Sequence, residues 1–261
     1  MSNQTIDIQN NGNDIKGCVS VCVEIGRLML SNGAETYRVE DTVIRVGQSL
    51  GVNNISAFVV PTVIIVTAEG EDEEEITQLT RVTDRHTNLE MIATLNQLSR
   101  DLSKEPKTPN EVRVMLYRIQ MDLNEFKPFI NVLLSAVATA AFTFLFDGTW
   151  IDIFPAFLLG GLATFINDYV STITNVSFFA ELVASFFVGL LAVILVELGI
   201  GQNPDIIILS SVMVLVPGIA ITNGLRDLMA GHLLAGVAVL SKAAMTAAAI
   251  GIGIVLVLSF V

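Results

Sequence analysis

Residues 215–236 read LVPGIAITNGLRDLMAGHLLAG, an apolar run of membrane grade broken first by Pro217-Gly218 and then by the adjacent pair Arg226-Asp227. Charge and irregular backbone are costly at membrane depth, so a stretch of this kind reads as functional by default. Pro217 has no N–H, and its ring crowds the carbonyl of Met213, which leaves polar backbone inside what is otherwise a spanning helix. Such backbone is tolerated only against protein, water or substrate. The stretch therefore points to permeation or transport.

The rest of the chain supplies the setting. Of 261 residues, 52% are hydrophobic and 15% charged, with a mean hydropathy of +0.65, too apolar for an ordinary soluble domain. The charges divide the chain in two. Residues 1–128 hold 12 Lys/Arg and 19 Asp/Glu, whereas 129–261 hold 2 and 7. A net charge of -12 without a basic stripe excludes nucleic acid as a partner, because that binding rests on neutralising phosphates. Residues 1–15 are polar, are expected to be disordered, and lack the apolar core of a cleavable signal peptide, so the N-terminus is expected in the cytoplasm. Cys18 and Cys22 stand at i and i+4, half of a metal site without its other ligands, and read as buried reduced thiols. No metal and no cofactor are expected.

The fold class is an α-helical integral membrane protein with an N-terminal cytoplasmic α+β domain. That domain is expected over 16–105. Lys16–Ser31 and Ala34–Leu50 carry helical apolar stripes ending at Asn32-Gly33 and Gly51, with Glu35 in the second helix's first turn, suited to the positive end of its dipole. The β-branched run 55–68, broken at Pro61, predicts two short strands or one interrupted edge strand, and 76–84 a return strand. The acidic run 69–75 between them lacks calcium-loop spacing and reads as a solvated hairpin tip. Thr87 with Glu90, and Thr108 with Pro109 and Glu111, predict capping boxes opening two further helices. The second is an amphipathic connecting helix over 106–128, with Val112, Leu116, Ile119, Leu123 and Phe126 on its apolar face.

A transmembrane domain of about five helices is expected over 129–261, drawn at roughly 129–146, 151–169, 178–200, 206–225 and 228–261. Arg113, Arg118 and Lys127 precede the first span, and no Lys or Arg follows until Arg226. The positive-inside rule therefore places the N-terminal domain in the cytoplasm and Trp150 at the outer interface. Small residues recur in the last segment (Ala244, Ala247, Ala248, Gly251 and Gly253), a pattern that lets membrane helices pack closely. The odd span count and this sticky helix predict an incomplete transporter that needs a second copy or another subunit.

Charges in or beside apolar segments are the site candidates. Arg226 is suited to a bidentate hold on a substrate carboxylate, with Asn223, Pro217 and Gly218 beside it; the alternative is a cytoplasmic turn in which Asp227 caps the next helix. Asp168 closes the second span and is either interfacial or a gate. Lys242 lies near the midplane if the last helix starts at Leu228 and snorkels to the interface if it starts at Ala243. Glu181, Glu197 and Asp205 fit span ends and loops, and His232 reads as packing or a helix-end hydrogen bond.

The stretch NGAETYRVEDTVIRVGQSLG at 32–51, followed by LVPGIAITNGLRDLMAGHLLAGV at 215–237, resembles the threonine/serine exporter family, specifically its short, split YjjP-type members, from about Glu24 to the C-terminus. The resemblance implies a bacterial-type inner-membrane, multi-pass secondary transporter subunit that exports small polar carboxylates. Threonine/serine-type amino acids and dicarboxylates are both open as substrate, with proton coupling and a separately encoded second membrane subunit, a homo-oligomer, or both. It carries over Gly33, Glu35, Arg38 and Glu40 as a soluble-domain motif. In the membrane it carries over Pro217, Gly218, Asn223, Arg226 and Asp227; the reading of charges in apolar segments adds Lys242 to the substrate-binding positions and makes Asp168 and Asp227 the proton-coupling ones. Two other classes stay open. One is a membrane-anchored hydrolase-like enzyme, for which Ser31, Cys18 and His86 form no nucleophile-base pattern; the other is a regulatory or sensor subunit.

Overall fold

The computed structural model describes residues 15–69, 75–83, 86–123, 128–174, 176 and 178–260. Expectations for residues 1–14, for the acidic tip at 70–74, and for Phe126 and Lys127 fall outside the described residues. The chain packs as two units, residues 1–124 with 223–238, and residues 125–222 with 239–261.

In the first unit, α1 (Ile15–Ser31) is buried on nearly every side. Ile25, Met29 and Leu30 meet Val39, Val43 and Val46 of α2 (Thr36–Ser49), Ile64 and Val66 of the sheet, Leu95 and Leu102 of α3 (Leu89–Lys104), and Val112 and Leu116 of α4 (Pro109–Asp122) in one core. Full burial of each such side chain is worth about 1.5–3 kcal/mol before chain entropy is counted. The sheet is an antiparallel meander of β1 (Asn54–Val60), β2 (Val63–Glu69) and β3 (Glu75–Arg81), registered Phe58 to Ile65 to Leu79 across its three strands. The break at Pro61 is thus a hairpin turn between two strands.

Gly33 ends α1 at φ +90, where the Ala34 N–H donates to Met29 O and the Gly33 N–H to Leu30 O. This pair of bonds closes a helix when a glycine takes the left-handed conformation. Gly51 does the same for α2. Cys18 and Cys22 are buried thiols, and burial pushes Cys22 up to about 12, far from a reactive thiolate.

Three local expectations change. Glu35 is the N-cap residue, not a first-turn residue, of α2. The expected Thr87–Glu90 box does not form. Asn88 caps α3 instead, its side chain accepting the Met91 N–H at 3.0 Å while its own N–H donates to Asn32 O at 3.0 Å. The Thr108–Glu111 box does form, with Pro109 in the first turn of α4, and α4 contributes Val112 and Leu116 to the first unit's core.

In the second unit, α5 (Pro128–Leu145), α6 (Trp150–Ile173) and α7 (Phe179–Glu197) are each long and apolar enough to span a membrane, as is α10 (Leu233–Leu258), which runs into this unit from the first. The expected fourth span is not one straight helix. It divides into α8 (Pro204–Val212), a 3-10 turn at Met213–Leu215 and α9 (Gly218–Met229), bent by 56° at Pro217. The described chain thus has four spans, or five if the broken pair is counted as one. The expected last segment at 228–261 begins instead at Leu233, because Gly231 takes φ +89 and ends α9 with bonds from its own N–H to Leu228 O and from the His232 N–H to Asp227 O.

Close packing of α5 on α6 rests on Gly160, which faces Thr139 where a Cβ would overlap it. The Thr139 hydroxyl lies 3.0 Å from Ala156 O and 2.9 Å from Ala136 O. Asp152 is buried at the head of α6 and accepts hydrogen bonds from Thr149 Oγ1 and from the N–H groups of Thr149, Gln202 and Asn203. This pins the connection between α7 and α8 to α6.

Candidate functional site

The first unit brings together the two sequence stretches singled out above, although they lie about 190 residues apart. One side is the turn after α1 and the start of α2. The other is the second half of α9 and the turn that Gly231 makes after it.

Gly33 needs its left-handed conformation to turn the chain, and its carbonyl accepts from Asn223 Nδ2 at 2.8 Å. Glu35 follows in extended conformation, and its side chain makes no capping bond to its own helix. With 5% of that side chain exposed, one carboxylate oxygen accepts from Arg226 Nη1 at 2.7 Å and the other lies 3.3 Å from Arg38 Nε. A buried carboxylate is stable only when paired, and here each oxygen has its own guanidinium. The Arg226 side chain is 53% exposed, and Glu35 takes only one of its nitrogens in the bonds described.

The orphan N–H groups at the start of α2 need an acceptor, and α9 supplies one. Asp227, 1% exposed, takes the Tyr37 N–H on Oδ1 at 3.3 Å. A carboxylate there also meets the positive end of the helix dipole. One turn further along α2, Glu40 Oε1 accepts the Val59 N–H of β1 at 2.8 Å, and Oε2 faces His232 Nδ1 at 3.6 Å. Burial pushes the Glu40 carboxyl above the usual carboxylate range. The Val59 N–H and His232 pull against that rise, and the Asp227 charge adds to it. The Tyr37 and His232 rings lie 6.4 Å apart, and the buried Thr36 hydroxyl has no hydrogen-bond partner among the described residues.

Seven expected positions thus share one cluster: Gly33, Glu35, Arg38, Glu40, Asn223, Arg226 and Asp227. Pro217, Gly218, Asp168 and Lys242 belong to the second unit. There Pro217 stands at the break and Gly218 opens α9, where a Cβ would meet open space. Asp168 is exposed near the end of α6, its carbonyl accepting from Thr172 Oγ1. Lys242 is exposed at the tenth position of α10, between the two registers considered for it. Sequence reasoning set His232 aside and missed both its pairing with Glu40 and the use of Asp227 as a cap for a distant helix. The available signal was DLMAGH at 227–232, whose glycine turns the chain one residue before the histidine.

The cluster holds three carboxylates (Glu35, Glu40, Asp227), two guanidiniums (Arg38, Arg226) and one imidazole. Fully ionised with His232 neutral, it carries one net negative charge; one proton on Glu40 or His232 balances it. It can therefore clasp α9 to α2, respond to a single proton, and present part of a guanidinium to an anion.

No solved structure gives a significant match. A protein of Klebsiella aerogenes named "Probable succinate transporter subunit YjjP" is 22% identical over 97% of both chains. The Escherichia coli K12 protein of the same name is 22% identical over 92% of this chain and 93% of its own. A "Probable threonine/serine exporter" of Mycobacterium tuberculosis H37Rv is 22% identical over 91% of this chain but only 45% of its own length. The family model described as "Putative threonine/serine exporter" matches residues 20–261. The family and these relatives are transporters, not enzymes. With four or five apolar spanning helices and a family match over nearly its whole length, the chain is a multi-pass membrane protein that belongs to the threonine/serine exporter family.

Proposed function

We propose that this chain is one subunit of a proton-driven secondary transporter that exports small polar carboxylates, either threonine/serine-type amino acids or dicarboxylates. The observation that carries this reading is the Glu35–Arg226 pair, in which a protein carboxylate occupies one donor of a half-exposed arginine. A substrate carboxylate has the same charge and geometry as the Glu35 head group, so it can take the remaining donors of Arg226 or displace Glu35 from them. Displacement loosens α9 from α2 and supplies a gate. A proton arriving at Glu40, His232 or Asp227 resets the charge balance and supplies the coupling step.

In this reading, the Pro217-Gly218 break exposes backbone to the transport path, Lys242 is a further substrate-binding position, and Asp168 exchanges protons at the end of α6. The names of the relatives favour a substrate with at least one carboxylate, since succinate, threonine and serine all carry one. Two features support a second membrane subunit: the word "subunit" in two of those names, and the greater length of the mycobacterial relative. Arg113 and Arg118 before α5, and the absence of Lys and Arg from 129 to 225, support a cytoplasmic first unit in a bacterial inner membrane.

The test is uptake of labelled succinate and threonine into proteoliposomes carrying the chain with and without a co-expressed second subunit. Arg226→Ala is expected to lower uptake about tenfold at limiting substrate, the loss of one charge-assisted hydrogen bond. Normal uptake by that variant would refute the carboxylate site. Uptake by the second subunit alone would favour a regulatory role for this chain.

A further inference from the structure

Helix α4 has two apolar faces. Val112 and Leu116 are buried in the first unit's core, with Ile119 and Leu123 packed against it. On the opposite side Val114, Tyr117 and Met121 are 51%, 61% and 56% exposed, and their spacings of three and four residues place them in one stripe along the helix. Arg113 and Arg118, both exposed, flank this stripe. Of the acids on α4, Glu111 is committed to the capping box with Thr108, and Asp122 stands at the last position of the helix. An apolar stripe with a tyrosine and two bordering arginines does not suit solvent. It does have the composition of a helix lying in a membrane interface, where apolar side chains enter the acyl boundary, tyrosine sits at headgroup level and arginines meet lipid phosphates.

The position of α4 in the chain narrows the occupant further. The first spanning helix begins at Pro128, six residues after Asp122. Six residue steps reach at most about 20 Å, so the end of α4 cannot stray far from the bilayer that α5 enters. We propose that the outward stripe of α4 lies on the surface of that bilayer, with Val114, Tyr117 and Met121 inserted and Arg113 and Arg118 on the phosphates of anionic lipids. The helix is then clamped between protein on one face and lipid on the other. This inference rests on the membrane span after α4 and is independent of the substrate.

The test uses the full chain in liposomes. Trp150 is the only tryptophan, so Trp150→Phe gives a silent background. Tyr117→Trp is then the probe, and Gln97→Trp, on the exposed side of α3, is the control. In vesicles containing brominated phosphatidylglycerol, the tryptophan at 117 is expected to be blue-shifted and strongly quenched, and the control is not. Each arginine near an anionic surface is worth about a factor of five in the docked-to-undocked ratio. Arg113→Gln with Arg118→Gln is therefore expected to weaken docking about 30-fold on anionic vesicles and hardly at all on phosphatidylcholine. A tryptophan at 117 that bromolipids quench no more than the control overturns the proposal. So does one shielded from aqueous acrylamide yet untouched by bromolipid, since the stripe would then be covered by protein.

Discussion

Asp227→Ala should unfasten the first turn of α2 without unfolding α9. The Asp227 carboxylate is 1% exposed and takes the Tyr37 N–H at 3.3 Å, while Glu35, the N-cap residue itself, makes no side-chain capping bond. Asp227 is therefore the cap that α2 lacks locally. Losing an N-cap acceptor costs about 0.5–2 kcal/mol, typically about 1. If the turn opens locally, about 1 kcal/mol raises its open population roughly fivefold, and the full range spans roughly twofold to 30-fold. The assay is hydrogen–deuterium exchange by mass spectrometry on the full chain in detergent, following a peptide that covers Tyr37 to Glu40. Asp227→Asn keeps one oxygen acceptor and should retain most of the protection. The His232 N–H is held by the backbone carbonyl of Asp227, which neither substitution removes, so its protection should not change. Unaltered exchange at 37–40 in folded Asp227→Ala would refute the tertiary cap.

Three further outcomes follow from the same geometry. Because the folded-state pKa of Glu40 is raised, its contribution to stability is complete below the ordinary glutamate value, about 4.3, and is lost as pH rises through the raised value. Glu40→Gln should flatten the stability–pH curve of the first unit in that window, and thermal unfolding at a series of pH values would show an unchanged slope if the reasoning fails. Gly231→Ala places a side chain at φ +89 with nothing within 4 Å of its Cβ, so strain alone acts, costing about 1–2 kcal/mol; increased exchange at the His232 amide is the readout. Gly160→Ala drives a methyl into Thr139, and overpacking of this kind costs about 1–3 kcal/mol. A lower melting temperature in detergent is expected, with partial recovery on adding Thr139→Ala.

Local chemistry made most of the elements legible. The stripes of α1 and α2, the break in the β-branched run at Pro61, the glycine stops at 33 and 51 and the capping box at Thr108 all follow from residues within one or two turns of each other. Tertiary partners decided what the chain alone did not. Asn88 displaced Thr87 as the cap of α3 because Asn32 O fixes its backbone. Glu35 fits a first turn by its dipole preference, but two arginines, one from α9, draw its side chain away. The last helix starts at Leu233 because Gly231 adopts a conformation that hydropathy does not register. The site was half legible: Arg226 and Asp227 stood out as charges in an apolar run, and Glu35, Arg38 and Glu40 came with the family resemblance, but Arg226 had no visible partner, since Glu35 lies 191 residues away.

The pairing of the two stretches runs in order, and this gives the cluster its mechanical sense. Gly33, Glu35, Tyr37 and Glu40 meet Asn223, Arg226, Asp227 and His232 in turn, through a carbonyl, a carboxylate, an N–H and a second carboxylate. The first and third contacts use α2-side backbone, so they depend on the turn at Gly33 and on the start of the helix, whatever side chains stand there. The second and fourth pair ionisable side chains with each other, Glu35 with Arg226 and Glu40 with His232. Three of these contacts come from α9 (Gly218–Met229) and the fourth from His232, just past its end.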